Sequence, residues 1–259
     1  MKAPLPVWVL AACGLLFVAL PFAGLLQRTP WTDLPSLLAE PAVREALKLS
    51  LTTSVAAVAL SMLFGVPLAW MLARGRVPGR SVVRGVVTLP MVLPPVVGGA
   101  ALLFALGRRG LIGQYLERNF DILLPYSTAG VVVAQTFVAM PFLIVTVEAA
   151  LRSTDIRYEQ AAATLGAGRW MTFRRVTLPS VAPSVAAGAV LCWARALGEF
   201  GATISFAGNL EGRTQTVPLA IYLALQHDRD AAIAMSLVLI TVSLVLLIAL
   251  RDRWYRVQT

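Results

Sequence analysis

The sequence of 259 residues contains little charge and few of the side chains that build most catalytic and metal-binding sites. Only 14% of its residues are Asp, Glu, Lys or Arg, whereas an average soluble domain contains about 25%. It has one histidine, two lysines and two cysteines. Because Cys13 and Cys192 both lie within apolar runs, they supply neither a disulfide framework nor a metal cluster. We therefore expect no metal site.

A nucleotide-binding P-loop is also absent. Such a loop needs Gly-x-x-x-x-Gly-Lys-Ser/Thr, because backbone N–H groups and the lysine surround the phosphates. Neither Lys2 nor Lys48 follows such a glycine pattern. His227 lies in a polar stretch where we expect it to be solvated, and hydroxyls within apolar helices usually bond to their own backbone. We predict that the chain has no catalytic residues, hydrolyses no ATP and binds no cofactor of its own.

Apolar residues make up 58% of the sequence, and the mean hydropathy is +0.76. No soluble core of this length buries so much apolar surface, and the same composition excludes a disordered chain, so we predict a multi-pass membrane protein. The net charge of +9 would suggest a nucleic-acid partner for a soluble protein. Here the basic residues lie mostly between apolar runs, where they orient the spans and contact lipid headgroups. We therefore expect no nucleic-acid partner.

Six apolar stretches are long enough to cross a bilayer as helices, which needs about 20 residues each. They cover roughly residues 5–26, 47–73, 85–106, 129–151, 180–207 and 231–250. The first could be a secretory signal, but its apolar run of about 22 residues exceeds the roughly 7–15 of a signal peptide. Thirteen basic residues lie in the segments on the side of the two termini, and eight lie on the opposite side. The positive-inside rule predicts that both termini are cytoplasmic, together with loops 74–84 and 152–179.

The third predicted span is rich in residues that interrupt helices. It contains Pro90, Pro94 and Pro95, and each proline removes a backbone donor and leaves a carbonyl that needs a partner in protein or water. Broken helices of this kind often line a transport pathway, which is the interpretation we favour here. For Pro141 in the fourth span, a kinked packing helix is an equally good interpretation.

The loop between the fourth and fifth spans predicts a helix-turn-helix. Residues 157–165 lack Gly and Pro and are rich in helix formers, and Gly166 suits a sharp turn after them. Trp170 and Phe173 give a second apolar edge, and Pro179 suits the first turn of the fifth span. Composition alone leaves two equal alternatives, an interfacial anchor and a docking surface for a cytosolic protein.

This loop resembles the Glu-Ala-Ala coupling motif of ABC importer permeases, in which Glu-Ala-Ala, three residues, Gly, nine residues and Ile-x-Leu-Pro follow in order. The residues that match at this spacing are Ala161, Ala162, Gly166, Leu178 and Pro179. Gln160 stands where the family has Glu, Val176 stands where it has Ile, and Glu159 is one residue early. The missing charge at position 160 argues against an ionic role there, whereas the turn and the packing positions are kept.

Four further segments resemble molybdate permeases, namely residues 89–99, 106–110, 135–142 and 195–203. The last of these is similar in sulfate and tungstate permeases as well. The resemblance implies the membrane subunit of an ATP-driven oxyanion importer, with molybdate as the first candidate substrate and sulfate, thiosulfate or tungstate as alternatives. An ATP-independent secondary transporter or a membrane enzyme would not account for the coupling-type loop.

The resemblance also implies an all-α type I permease fold with six transmembrane helices and a cytoplasmic coupling helix. Residues 1–45 would form the first helix and a periplasmic connector, residues 46–250 the permease core, and residues 251–259 a cytoplasmic tail. A second copy of the permease, an ABC ATPase dimer that binds the ATP, and a periplasmic or surface oxyanion-binding protein would complete an importer in the plasma (inner) membrane. The residues implied to couple to the ATPase are Glu159, Gln160, Ala161, Ala162, Leu165, Gly166, Arg169, Leu178 and Pro179.

The fifth predicted span carries two charges, Arg195 and Glu199, which are four residues apart and so share one side of a helix. Burying either charge alone costs about 2.5–3.5 kcal/mol on insertion scales, so both are expected to face protein or water. An ion pair that only makes two buried charges tolerable is one interpretation. We favour a role in the pathway, in which Arg195 offsets the charge of the anion and Glu199 keeps the attraction weak. The residues predicted to line the pathway or its gate are Pro94, Pro95, Arg195, Glu199, Phe200, Thr203 and Ser205.

Overall fold

The computed structural model describes residues 4–75 and 78–255, and within these ranges the chain forms helices and no strand. The predicted all-α class is therefore confirmed. The helices are α1 Leu5–Gln27, α2 Leu34–Ala39, α3 Pro41–Arg74, α4 Arg80–Val92, α5 Pro95–Leu106, α6 Gly113–Phe120, α7 Thr128–Ser153, α8 Arg157–Thr164, α9 Arg169–Thr172, α10 Leu178–Leu197, α11 Gly201–Ala207, α12 Val217–His227 and α13 Arg229–Tyr255. A π-helical turn, Phe173–Thr177, joins α9 to α10.

Four helical segments of the described chain are long and apolar enough to cross a membrane, and the bent pair α4–α5 makes a fifth if it is counted as one span. The structure does not confirm the predicted number of six. Helix α13 covers the sixth predicted stretch, but the side chains of residues 246, 247 and 249–255 lie outside the description. The last part of the predicted tail, residues 256–259, also lies outside the described residues.

The core of the subunit is a bundle of three helices, α3, α7 and α10. Their shared apolar cluster contains the fully buried Leu72, Leu143 and Ile144. Two glycines let the helices approach closely: a Cβ at Gly65 would lie 3.2 Å from Ile144, and one at Gly188 would lie 3.0 Å from Leu143. Small residues at helix contacts are typical of membrane proteins, because lipid offers no hydrophobic force between helices and close packing must hold them together.

Two buried serines of α3 fasten other elements to this core. The backbone N–H of Val217, at the start of α12, donates to Ser50 Oγ at 2.7 Å. The indole N–H of Trp193, in α10, donates to Ser54 Oγ at 2.8 Å. Both hydrogen bonds are well placed to stabilise helix contacts, since a donor left without a partner in an apolar environment is unfavourable.

Helix α1 stands apart from this bundle. None of the residues in its apolar window is buried, and large side chains such as Phe17 and Leu10 are among the most exposed of the described chain. Within its own subunit, α1 therefore contributes apolar surface and no core packing.

The third predicted span, 85–106, is formed by two helices with a break between them. Helix α4 ends at Val92, α5 begins at Pro95, and their axes differ by 120°. Pro94 and Pro95 lack backbone donors, and a residue before proline is pushed away from helical geometry, so Leu93 is extended with ψ near 140°. The predicted interruption at the proline cluster is observed, and it is a sharp turn.

The fifth predicted span, 180–207, is wrong in its bounds. A continuous helix runs from Arg169 through the π-helical turn to Leu197, and the chain then breaks before α11 begins at Gly201. Pro179 is the second residue of the α-helical part, as expected, but it lies inside the longer helix. In the preceding π-helical turn, Leu178 N–H donates to Phe173 O. The backbone hydrogen bonds therefore change from the π-helical to the α-helical pattern directly before this proline.

Helix α12 was not predicted, because its 11 residues are fewer than the span length that guided the search. His227, expected in a solvated loop, is the exposed last residue of this helix.

The two breaks lie side by side, because α5 and α11 pack against each other in parallel. A Cβ at Gly99 would lie 2.7 Å from the carbonyl oxygen of Ala202, and a Cβ at Gly201 would lie 2.8 Å from Pro95 Cβ. Only glycine allows backbones to approach this closely. The start of each short helix therefore meets the start of the other.

This contact generates a prediction for Gly99→Ala. We expect the added methyl group to force α5 and α11 apart and to lower the free energy of unfolding by about 1–3 kcal/mol, as overpacking does in other proteins. Thermal unfolding in detergent measures the effect. Gly85→Ala is the control, since Gly85 lies in α4 with no atom within 4 Å of an added Cβ. Equal unfolding temperatures for the two variants would contradict the prediction.

Candidate functional site

The first candidate site is the segment 157–177, which the structure forms as two helical arms. Helix α8 spans Arg157–Thr164, as predicted to within one residue. Asp155 Oδ1 accepts the N–H of Arg157, the first residue of the helix, at 2.9 Å, so this terminal donor is paired. At the other end, Gly166 has φ +85°, and the N–H of Ala167 donates to Ala162 O at 3.0 Å. This glycine-closed helix end is the turn that the sequence predicts.

Helix α8 is fastened to the end of α3 by one arginine. Arg74 Nε lies 3.2 Å from Glu159 Oε1, and Arg74 Nη2 donates to the carbonyl oxygen of Thr154 at 2.9 Å. The two charged side chains are only 13% and 18% exposed. Glu159, which is displaced by one position from the family motif, therefore points toward the membrane domain, while Gln160 is exposed.

The second arm continues into the membrane. Phe173 packs against Trp70 of α3 with ring centroids 5.7 Å apart, and against Trp170 at 5.8 Å. Together the arms and α3 enclose a cleft of about 580 Å³ that Arg74 and Glu159 also line. The second arm forms one continuous helix with α10, and Phe173 packs it against α3.

The outer surface of the two arms is apolar and basic. Leu165 is 88% exposed, and Tyr158 and Trp170 are also exposed, beside Arg169 and Arg174. Several exposed large apolar side chains on one short segment are typical of a surface that binds protein or membrane. Of the predicted coupling residues, the structure leaves exposed Gln160, Ala161, Leu165, Gly166, Arg169 and Pro179, and leaves half-buried Glu159, Ala162 and Leu178.

A neighbouring carboxylate, which sequence reasoning missed, joins α4 to α7. Glu148 is buried, and its Oε1 accepts from Arg84 and, at 2.9 Å, from Arg152 Nη2. Arg80 Nη2 lies 4.0 Å from the same oxygen. Arg152 lies four residues after Glu148, but Arg84 is 64 positions away in the sequence, so local spacing can indicate only one of these partners. The cluster holds the bent pair α4–α5 to the core at the end nearest the arms.

The second candidate site is the break between α10 and α11. Arg195 Nη1 and Glu199 Oε2 are 2.5 Å apart, and Glu199 Oε1 accepts the N–H of Ala202 at 2.7 Å. Glu199 is 1% exposed, whereas Arg195 is 26% exposed. The predicted proximity of the two charges is observed, but Glu199 lies beyond the helix end at Leu197. Its carboxylate therefore links the last turn of α10 to the first turn of α11.

The other predicted pathway residues lie around the same break but differ in exposure. Pro94 and Pro95 are exposed, and Phe200 packs on Tyr222 with centroids 5.3 Å apart. Ser205 Oγ donates to Gly201 O at 2.8 Å, so its hydroxyl is used within α11. Thr203 is fully buried and does not line an open path in this conformation.

Among residues 4–75 and 78–255, no cluster of three His, Cys, Asp or Glu side chains could hold a metal ion.

Residues 65–258 match the family described as the binding-protein-dependent transport system inner membrane component. The chain belongs to this family. The predicted resemblance to ABC permeases is thus confirmed, and this inner membrane component is a subunit of a transport system.

Curated relatives match this membrane component over most of its length. The molybdenum transport system permease protein ModB of Mycobacterium tuberculosis is 48% identical over 253 residues, covering 96% of this chain and 95% of the relative. The protein of the same name from Escherichia coli K12 is 42% identical and covers 81% and 92%. The sulfate transport system permease protein CysT of Escherichia coli K12 is 37% identical and covers 91% and 86%.

Two solved structures share the fold of this membrane component. A bacterial ABC transporter that imports the acidic polysaccharide alginate has a chain with a TM-score of 0.73, 23% identity, and coverage of 97% of this chain and 96% of its own. The MetNI methionine ABC transporter gives a TM-score of 0.61 and 17% identity, with coverage of 83% and 94%. At these identities the likeness establishes the fold of ABC transporter membrane subunits and nothing finer.

The Arg74–Glu159 pair generates a second prediction. Arg74→Met or Glu159→Leu leaves one partly buried charge without its partner, so we expect either to destabilise the subunit by about 1.5–3 kcal/mol, the range for hydrogen bonds to charged groups. Thermal unfolding of the purified subunit measures this. Arg157→Ala is the matched control, because its pairing with Asp155 spans 3.9 Å and both side chains are largely exposed. A control variant as unstable as the Arg74 variant would contradict the prediction.

Proposed function

We propose that this chain is the membrane subunit of an ATP-driven importer that carries a tetrahedral oxyanion, molybdate before others, across the plasma (inner) membrane. The observation that carries the proposal is 48% identity to a molybdenum permease over nearly the whole of both chains. Sulfate is the second candidate, because a sulfate permease is 37% identical over 91% of the chain. Molybdate, tungstate and sulfate share tetrahedral shape and charge, so one low-affinity path can suit each of them.

The energy would come from a partner ATPase that docks on residues 157–177. The exposed Leu165 and Trp170 supply apolar contact area, and the arginines beside them supply charge. The arms are well connected to the membrane domain: α8 is tied to α3 through Arg74, and the second arm is continuous with α10. A displacement of the segment 157–177 would therefore move two core helices together.

The proposed assembly contains two copies of this permease, two ATPase chains that bind the ATP, and a periplasmic or surface oxyanion-binding protein. The coupling motif occurs once in the sequence, so two copies would supply one docking segment to each ATPase. ATP binding would draw the paired segments together and open the path outward, and hydrolysis would reset it inward. Both termini would lie in the cytoplasm, as the distribution of basic residues predicts.

Within the path, Arg195 would offset the charge of the passing anion while Glu199 keeps that attraction weak. The partial exposure of Arg195 beside a buried carboxylate supports this role. The alternative is a purely structural pair, for which the hydrogen bond from Ala202 N–H to Glu199 is the supporting observation. The two interpretations differ in what happens to transport when the charge of Glu199 is removed.

Uptake of radiolabelled molybdate into liposomes that contain the complete complex tests the substrate. We expect ATP-dependent uptake that excess unlabelled molybdate and tungstate reduce. Uptake of sulfate that is indifferent to molybdate would overturn the substrate proposal in favour of the sulfate alternative. Uptake without ATP or the ATPase subunits would overturn the coupling proposal.

The variants Glu199→Gln and Arg195→Ala test the role of the pair. Glutamine keeps an oxygen for Ala202 N–H but frees Arg195 to hold the dianion, so we expect slower release and lower transport. Arg195→Ala should lower transport further, by about tenfold, because it also leaves a buried carboxylate alone. ATPase association should be normal in both variants. Transport at the unmodified rate by both, at equal expression, would mean that the pair has no role in the path.

The double variant Leu165→Asp, Gly166→Val tests docking. A β-branched residue is strained at φ +85°, and an aspartate removes apolar contact area at a site exposed enough to leave the fold intact. We expect loss of the ATPase during co-purification. Gly79→Val is the matched control, since Gly79 has φ +66° in open space outside the segment. Stoichiometric ATPase binding by the double variant would refute the docking proposal.

A further inference from the structure

One buried amide in the membrane domain has no hydrogen-bond partner. Gln135 of α7 is 0% exposed, and neither its Nε2 nor its Oε1 is paired with another group of the described chain. The hydroxyl of Thr203 in α11 is equally buried and equally without a partner there. Most hydroxyls of the described membrane helices instead bond to their own backbone, as that of Thr136 does to Val132 O at 2.7 Å.

Helices α7 and α11 pack together, with Ala134 and Ala202 in one apolar cluster. A Cβ at Gly130 would lie 3.5 Å from Phe206, which aligns the start of α7 with the end of α11.

Helix α5 contacts both α7 and the start of α11, and these contacts show which residues of α7 and α11 lie at the same level. A Cβ at Gly98 would lie 3.1 Å from Phe137, and its neighbour Gly99 abuts Ala202. Gln135 and Thr203 each fall between these two levels, so they are within about one helical turn of each other along the axis.

An unpaired amide among apolar side chains is unfavourable, because it has lost its hydrogen bonds to water and gained none in return. Leucine or methionine of similar volume would fill the same space without that loss. The position is therefore better explained by a partner that Gln135 meets in another conformation. Thr203 directly follows Ala202, whose N–H donates to Glu199, so the Arg195–Glu199 pair lies at the first turn of the helix that carries Thr203.

We propose that Gln135 contacts the oxyanion directly during its passage, with Thr203 as a second neutral donor. When α11 separates from α7, the Nε2–H groups and the hydroxyl donate to oxygens of the tetrahedral anion, which has only acceptors to offer. Neutral donors beside the Arg195–Glu199 pair give the dianion hydrogen bonds without a surplus of positive charge that would retain it. This inference rests on the proposed function as an oxyanion importer.

The test is the variant Gln135→Leu. If the leucine variant does not fold, Gln135→Met is used in its place. Complete complexes in liposomes, supplied with the binding protein, are assayed for molybdate moved per ATP hydrolysed and for thermal unfolding. We expect the amount of molybdate moved per ATP to fall about tenfold, because the variant loses one hydrogen bond to a charged group. The unfolding temperature should stay the same or rise. Thr136→Val, one residue away with a hydroxyl already bonded, should leave both quantities unchanged.

Unchanged transport by the Gln135→Met complex would overturn the inference. A parallel fall of transport and of unfolding temperature would overturn it too, because Gln135 would then be a structural residue. An unmodified complex that moves no oxyanion would instead refute the proposed function, so the two failures are distinguishable.

Discussion

A helix inside a membrane can end only where protein or the water of a cavity, rather than lipid, satisfies its terminal backbone groups, and this requirement governs the centre of the molecule. Glu199 meets it at the second break, where it accepts an N–H from the first turn of α11 and holds the guanidinium of α10. Pro94 and Pro95 meet it at the first break by presenting no N–H at all. The glycines at 99 and 201 bring the two breaks into direct contact, so the irregular backbone of one break packs against that of the other.

Composition and motif spacing were sufficient to predict the helical class, most of the apolar spans and the helix-turn-helix of the arms, because these depend on local properties of the chain. The interruption at Pro94 was also readable, but its 120° bend was not, since an angle depends on the packing of α5 against α11. No local spacing indicates Arg74 as the partner of Glu159 or Arg84 as a partner of Glu148, because these pairs are 85 and 64 positions apart, although Arg152 lies only four residues from Glu148. Gln135 was visible only as part of a family-like segment, because an unpaired amide is a property of its surroundings.

Position 160 lacks the carboxylate of the family motif, and the structure shows what the neighbouring carboxylate does instead. The carboxylate one residue earlier, Glu159, faces inward and binds Arg74, whereas Gln160 is exposed. The charge thus serves the attachment of α8 to its own subunit, and the exposed surface of the arms depends on shape, apolar area and arginines. The sequence-level argument against an ionic role at 160 agrees with this arrangement.

Helix α1 buries no residue of its apolar window against the rest of its subunit. Its composition is therefore constrained by solubility in lipid, while the identity of each side chain matters little to the three-helix core. Replacing one apolar side chain of α1 by another would therefore leave the three-helix core, the two breaks and the arms of the same chain in place.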